Sequence, residues 1–355
     1  MKPTERLHGS GQSLWLDNIT RKMLDSGQIA RYVEQYSVTG LTSNPSIFDK
    51  AIESGDYDAA IRDRAAHGLA GEELFFELAI EDLRRAADLF LPVHERTDGV
   101  DGWVSLEVSP LLANDTARTI AAAKKLHERA GRPNLFIKIP GTVEGRGAIE
   151  ECVASGVPIN VTLLFSTEQY RAAAEAYMRG IERRIEAGLG PRVGSVGSVF
   201  ISRWDKAANP RLPARLQNRL ALAVGRDIYR AYRQLMDSER WQRLENAGAR
   251  MQRLLWASTS TKEASIPDTL YVQGLFAPFT VDTMPDKTLV AFSEHGEVGE
   301  ALPADGGDCD AVLAEFAAAG VDFGAMAAQL QREGAEAFGT SWQNLLRRIE
   351  KQVQS

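Results

Sequence analysis

Cysteine is nearly absent from this chain of 355 residues, which has only Cys152 and Cys309. Two cysteines cannot build a disulfide framework, so a reducing compartment is the simplest assignment. Histidine is also scarce. The five present (His8, His67, His94, His127 and His295) form no H-x-x-x-H or Cys/His ligand spacing, and no metal is expected. No run of about 18 apolar residues occurs, and the N-terminus MKPTERLHGSGQS lacks the apolar stretch of an export signal. A soluble, cytoplasmic protein is expected, and the N-x-T sequences at Asn18, Asn114 and Asn160 then read as chance matches. There is no basic excess: 41 Lys and Arg against 48 Asp and Glu leave a formal charge of −7. Nucleic acid and anionic membrane are therefore not expected partners, although a local basic pocket can still hold a phosphate. A nucleotide-dependent oxidoreductase loses its main support, because no G-x-G-x-x-G and no Walker A sequence is present. The nearest, Gly145-Arg-Gly147, has Glu150 where the third glycine should stand.

The chain does have short apolar runs alternating with long amphipathic segments. Strand candidates lie at Leu14–Asp17, Val38–Ser43, Trp103–Val108, Leu135–Ile139, Ile159–Phe165, Val193–Ser202, Leu254–Thr259 and Thr269–Leu275. Between them, Thr20–Tyr36, Gly71–Phe90, Asp115–Ala130 and Glu168–Ala187 carry helical periodicity, as does the tail from about 321 to 353. Eight such units predict an α/β protein, a closed (β/α)8 TIM barrel in preference to an open doubly wound sheet. No shift of composition marks a boundary, so residues 1–355 are expected to form one domain, with an N-terminal segment 1–12 and C-terminal helices about 321–353. Pro303–Asp308 reads as a surface loop.

Catalytic groups of a barrel come from the carboxyl ends of its strands. Those ends carry polar residues among apolar ones: Asp17, Asn44, Glu107, Lys138, Asn160, Thr162, Ser198 and Arg203. Lys138 stands between Ile137 and Ile139. One reading is a Schiff-base nucleophile, because an amine attacks a carbonyl only when unprotonated and an apolar surround disfavours the charged form. The other is a snorkelling lysine or half of a structural ion pair. Asp17 and Glu107 would serve as acid and base for the proton transfers of imine chemistry, or would cap helices and pair with arginines. Asn44 and Asn160 would hydrogen-bond a polyol, or satisfy turn backbone.

These residues sit in motifs that resemble a known family. Leu14-Trp-Leu-Asp17-Asn18, Gly40-Leu-Thr-Ser-Asn44-Pro-Ser-Ile-Phe48, Ile137-Lys138-Ile-Pro140, Glu144-Gly145 and Ile159-Asn160-Val-Thr162-Leu-Leu-Phe165 look like transaldolase motifs in order and spacing. Leu255-Trp-Ala-Ser258-Thr, Asp268-Thr-Leu-Tyr-Val272 and Asp282-Thr-Met-Pro285 are similar to the longer bacterial subfamily. The resemblance covers the chain from about residue 10 to its C-terminal helix. It implies a (β/α)8 barrel that transfers a dihydroxyacetone unit from a ketose phosphate to an aldose phosphate, in the pentose phosphate pathway, without a metal or organic cofactor. Small-molecule sugar phosphates are the partners it implies. Some members of the subfamily are fused to a sugar-phosphate isomerase; this chain ends about where its barrel would, and reads as unfused.

The resemblance also assigns roles. Lys138 matches the Schiff-base lysine, Asp17 the acid/base for carbon–carbon cleavage, and Glu107 with Thr162 the pair that holds a catalytic water. Asn44 and Asn160 match residues bonded to ketose hydroxyls, and Ser198 and Arg203 match the family's serine and phosphate-binding arginine. Phe200 stands where related fructose-6-phosphate aldolases resemble one another in having tyrosine, which favours a transferase over a class I aldolase-like lyase. The departure is on the seventh strand: smaller members place a second arginine there, whereas this chain has Ser258-Thr-Ser-Thr-Lys262. Lys262 would replace that arginine as a point charge, with Ser258 adding a hydroxyl, or would be a solvent-facing loop lysine. A non-catalytic sugar-phosphate-binding barrel is the remaining alternative, and it has no need of Lys138, Asp17, Glu107 and Thr162 together.

Overall fold

Runs rich in Val, Ile, Leu and Phe, buried along their whole length, form strands that can be covered on both faces. The structure is a computed structural model that describes residues 1–261 and 266–354. Its strands are β1 (Ser13–Leu16), β2 (Val38–Thr42), β3 (Val104–Glu107), β4 (Leu135–Pro140), β5 (Ile159–Leu164), β6 (Ser195–Phe200), β7 (Arg253–Ala257) and β8 (Val281–Met284). They pair in parallel in sequence order, and β8 returns to β1 to close the barrel. Helices surround this cylinder, and Trp15, Trp204, Trp241, Trp256 and Trp342 are fully buried. Cys152 and Cys309 are both buried, unpaired thiols.

One strand differs from expectation. Thr269–Leu275 is not the eighth strand; the helix Leu270–Gly274 occupies it, and β8 follows at Val281–Met284, within the Asp-Thr-Met-Pro motif. A short apolar run carries no period long enough to separate a strand from one helical turn, so tertiary contacts decide. Here Val272 is buried, and the Tyr271 hydroxyl donates to Asp205 Oδ2 at 2.9 Å. The helical stretch expected over Thr20–Tyr36 is likewise two helices, Arg21–Asp25 and Gln28–Tyr36. They break at Gly27, whose φ of 69° favours glycine. The N-terminal segment 1–12 contains the short helix Pro3–Gly9.

The tail is a single helix, Phe323–Gln354, laid across the carboxyl ends of the strands. Gln331 Nε2 donates to the carbonyls of Gly141 and Leu163, just past β4 and within β5, at 3.3 and 2.9 Å. Further along, Ser341 shares a 2.7 Å hydroxyl contact with Ser46, and Trp342 Nε1 donates to Glu72 at 2.9 Å. Arg348 reaches Asp49 at 2.8 Å. Among the described residues no single helix is long and apolar enough to cross a membrane.

Candidate active site

Side chains alternate inward and outward along a barrel strand, so polar residues two apart enter the lumen together. Glu107 on β3, Lys138 on β4 and Asn160 on β5 are register partners and form one level of the lumen. The Lys138 ammonium lies 3.0 Å from Glu107 Oε2, with both side chains about 5% exposed or less. It also donates to the Ser43 carbonyl at 3.2 Å. Burial pushes the Glu107 carboxyl up, against the opposing pull of Lys138. Glu107 Oε1 and the Thr162 hydroxyl are both buried, and neither has a hydrogen-bond partner in the protein.

Asp17 follows β1, and its backbone N–H continues the ladder to the Met284 carbonyl at 2.8 Å. Thr42 donates to Asp17 Oδ1 at 2.8 Å and meets Thr283 at 2.7 Å. Burial raises the Asp17 carboxyl above its ordinary range, with Lys138 and Thr42 acting in the other direction. Asn160 is fastened from both sides: it donates to Ser105 at 3.0 Å and accepts from Ser198 at 2.7 Å. Asn44 uses its side-chain oxygen to cap the helix Pro45–Glu53, accepting from the Ile47 N–H at 3.1 Å. Its turn role is therefore real, and it lines the cavity as well.

That cavity measures about 750 Å³ and opens at the carboxyl end, where Asp17, Asn44, Lys138, Thr162, Ser198, Arg203 and Ser258 line it. Glu107 and Asn160 are buried beneath them. Arg203 is half-buried, its guanidinium 5.0 Å from the Phe200 ring centre. Burial disfavours its charge, with Glu333 offsetting in part, and among the described residues it forms no ion pair. Ser258 has a φ of 57°, which strains a non-glycine residue, and it shares a 2.9 Å hydroxyl contact with Ser202. Lys262 lies outside the described residues. A neighbouring cavity of about 510 Å³ shares Arg203, Ser258 and Ser260 and adds Lys206, one turn after Arg203.

Sequence reasoning missed Thr42, Ser105 and Thr283, which fasten Asp17 and Asn160. Their position two residues from Asn44, Glu107 and Pro285 on inward-facing registers was the available signal. It also missed Phe338, whose ring centre is 5.6 Å from Lys138 Nζ, and Asp286, which accepts from Asn18 at 2.7 Å at the rim. Asp227, Cys309 and Asp310 have the mutual spacing of metal ligands, yet Arg230 already binds both carboxylates and none of the three lines the cavity.

Comparison with known proteins agrees with this geometry. The family described as Transaldolase/Fructose-6-phosphate aldolase matches residues 14–349. A transaldolase of Thermobifida fusca is 44% identical over 361 aligned positions, covering 99% of this chain and 98% of that protein. One from Acidothermus cellulolyticus is also 44% identical, at 99% and 97% coverage, and a transaldolase 2 of Streptomyces coelicolor is 41% identical, at 98% and 96%. With a barrel closed around a buried lysine–glutamate pair and a match along almost its whole length, the chain belongs to the transaldolase/fructose-6-phosphate aldolase family.

Proposed function

We propose that this protein is a transaldolase that moves a dihydroxyacetone unit from sedoheptulose 7-phosphate or fructose 6-phosphate to an aldose phosphate, through an imine on Lys138. The observation that carries the reading is the buried Lys138–Glu107 contact at the floor of a cavity that also holds Asp17 and Arg203. A proton passed from the ammonium to Glu107 leaves an amine that attacks the ketose carbonyl, and the raised affinity of Glu107 for a proton suits it to that exchange. A water held between Glu107 Oε1 and the Thr162 hydroxyl would satisfy two buried groups and carry the proton that expels the carbinolamine hydroxyl.

With the imine formed, Asp17 takes the proton of the C4 hydroxyl as the C3–C4 bond breaks. The aldose phosphate leaves, and a three-carbon enamine stays on Lys138. That enamine attacks the acceptor aldehyde, and the steps run backwards. Asn44 and the Asn160–Ser198 pair bond the ketose hydroxyls, while Arg203 and Ser258 hold the phosphate; Lys206 adds a second positive charge in the adjoining cavity. Borohydride reduction in the presence of fructose 6-phosphate tests the reading. The reduced adduct is expected on Lys138, and an adduct mapped to any other lysine, or none at all, overturns it.

A further inference from the structure

Lys138 has a neighbour that comes from outside the barrel. On the tail helix Phe323–Gln354, buried residues recur as Leu330, Gly334, Phe338 and Trp342, a spacing of four that puts them on one face. Each of the middle two faces a functional group. At Gly334 an added Cβ would stand 2.9 Å from Arg203 Nη1, so the helix backbone passes directly against the guanidinium. At Phe338 the ring is 5% exposed, lines the cavity, sits 5.6 Å from Lys138 Nζ and meets Phe200 edge-on at 6.4 Å. Gln331 and Trp342 clamp this stretch onto the β4 and β5 ends and onto Glu72. Phe338 is held there by contacts other than its own.

We infer that Phe338 keeps bulk solvent, beyond the one water held by Glu107 and Thr162, from the enamine carbon and so commits the enzyme to transfer. The inference rests on the imine reading above. After carbon–carbon cleavage the enamine has two fates. Its nucleophilic carbon attacks an acceptor aldehyde, or that carbon takes a proton and gives an iminium. Water then adds to the iminium carbon, the C–N bond breaks with its electron pair going to nitrogen, and dihydroxyacetone leaves with Lys138 restored. The water held by Glu107 and Thr162 already serves iminium hydrolysis when the ketose product leaves, so the step that further solvent beside Lys138 speeds is protonation of the enamine carbon. An apolar ring beside both the amine and Phe200 takes up space that solvent would otherwise fill, and closing a site against water is a recognised way to suppress proton leakage.

The test is the ratio of dihydroxyacetone released to three-carbon units transferred, with fructose 6-phosphate as donor and erythrose 4-phosphate as acceptor. Phe338→Ala is expected to raise that ratio about tenfold, a change of roughly 1.4 kcal/mol between the two barriers. Phe338→Leu, which refills most of the space without an aromatic ring, is expected to restore it nearly to the wild-type value. Phe338→Val, which empties only part of the space, is expected to raise the ratio by an intermediate factor and supplies the reading should the alanine variant unfold. Melting curves and the stoichiometry of borohydride trapping accompany all three. A wild-type ratio in the alanine and valine variants, with trapping intact, overturns the inference and leaves the imine reading standing. Failure of wild-type protein to trap on Lys138 overturns the imine reading instead.

Discussion

The two ends of the barrel treat buried charge in opposite ways. At the amino end, Asp101 accepts from Trp15 Nε1 at 2.8 Å, from the Gly102 N–H at 3.0 Å and from Ser13. Arg253 in turn donates to Ser13 at 2.7 Å and to the Thr280 carbonyl at 2.9 Å. At the carboxyl end, Glu107 and Thr162 keep buried oxygens without protein partners, Arg203 forms no ion pair among the described residues, and Asp17 is pushed up. Such unpaired groups cost stability in isolation; the amino end also leaves the side-chain amide oxygens of Gln12, Asn134 and Gln252 without partners, but at the carboxyl end the unpartnered groups line one cavity with Lys138 or lie just beneath it. The amino end holds the cylinder closed, and the carboxyl end leaves its hydrogen-bonding capacity for a ligand.

The largest expected effect falls on Lys138. Lys138→Met should abolish borohydride trapping and lower turnover by more than about 10⁴-fold, with near-native circular dichroism, because Glu107 can take up a proton when its partner is gone. Retained turnover would remove the chemical half of the comparison. Next come Asp17 and Glu107, each expected to cost about 10²–10⁴-fold on replacement by alanine. They should differ in where the reaction stops. Asp17→Ala should still be trapped with the whole ketose attached, whereas Glu107→Ala should slow trapping itself. Equal trapping rates in the two would show that one acid serves both steps.

How much of this was legible beforehand depends on the reach of each signal. Lys138 stood out because a charged residue between two isoleucines has no comfortable place on a buried strand except the lumen. Asp17, Asn44, Glu107, Asn160 and Thr162 followed from their positions at strand ends, and the structure brings all of them to one pole. Thr269–Leu275 differs from expectation because a short run with four apolar residues suits a strand and a helical turn equally, and tertiary contacts such as that of Tyr271 with Asp205 choose. Phe338 was invisible. Its importance comes from where a helix at the far end of the chain crosses the barrel mouth, and no local pattern encodes that crossing.

The comparison also predicts an effect on stability without one on chemistry. Asp101→Ala strands the indole N–H of Trp15, at roughly 1–3 kcal/mol for a buried donor left unpaired, while the Gly102 N–H keeps the Thr39 carbonyl at 3.0 Å. The melting temperature should fall while kcat/KM of the folded fraction stays near wild type; a loss of kcat/KM with unchanged melting would erase the distinction between the two ends. Asp282 on β8 sharpens it further. Its carboxyl is fully buried, bonded to Thr259 at 2.8 Å through one oxygen only, and burial raises its pKa to about 7. The folded protein thus holds a proton that the unfolded chain releases near 3.8. The stabilising contribution is complete below that value and is lost as pH rises through about 7, by about 4 kcal/mol in all. Asp282→Asn should flatten this decline in a series of denaturant titrations, and an unchanged slope would show that another group is responsible.

Of the charged residues that line the cavity, the smallest expected effect is at the phosphate. A sugar phosphate brings as much as two negative charges to a protein of formal charge −7, so attraction must be local. Arg203 presents a planar guanidinium that forms no ion pair among the described residues, lies over Phe200 and is held against the backbone at Gly334. Burial already disfavours its charge, and a phosphate bound there would compensate for the desolvation. Hydrogen bonds to a charged group are worth about 1.5–3 kcal/mol, or roughly 10- to 150-fold in affinity. Arg203→Ala should therefore raise KM for fructose 6-phosphate by that factor and leave unphosphorylated fructose nearly unaffected. Lys206→Ala should act in the same direction and more weakly, because an ammonium makes no bidentate contact. If Arg203→Ala weakens both sugars equally, the guanidinium supports the fold of the mouth and does not read the phosphate; the positive charge at this end would then be structural, as the charges at the other end are.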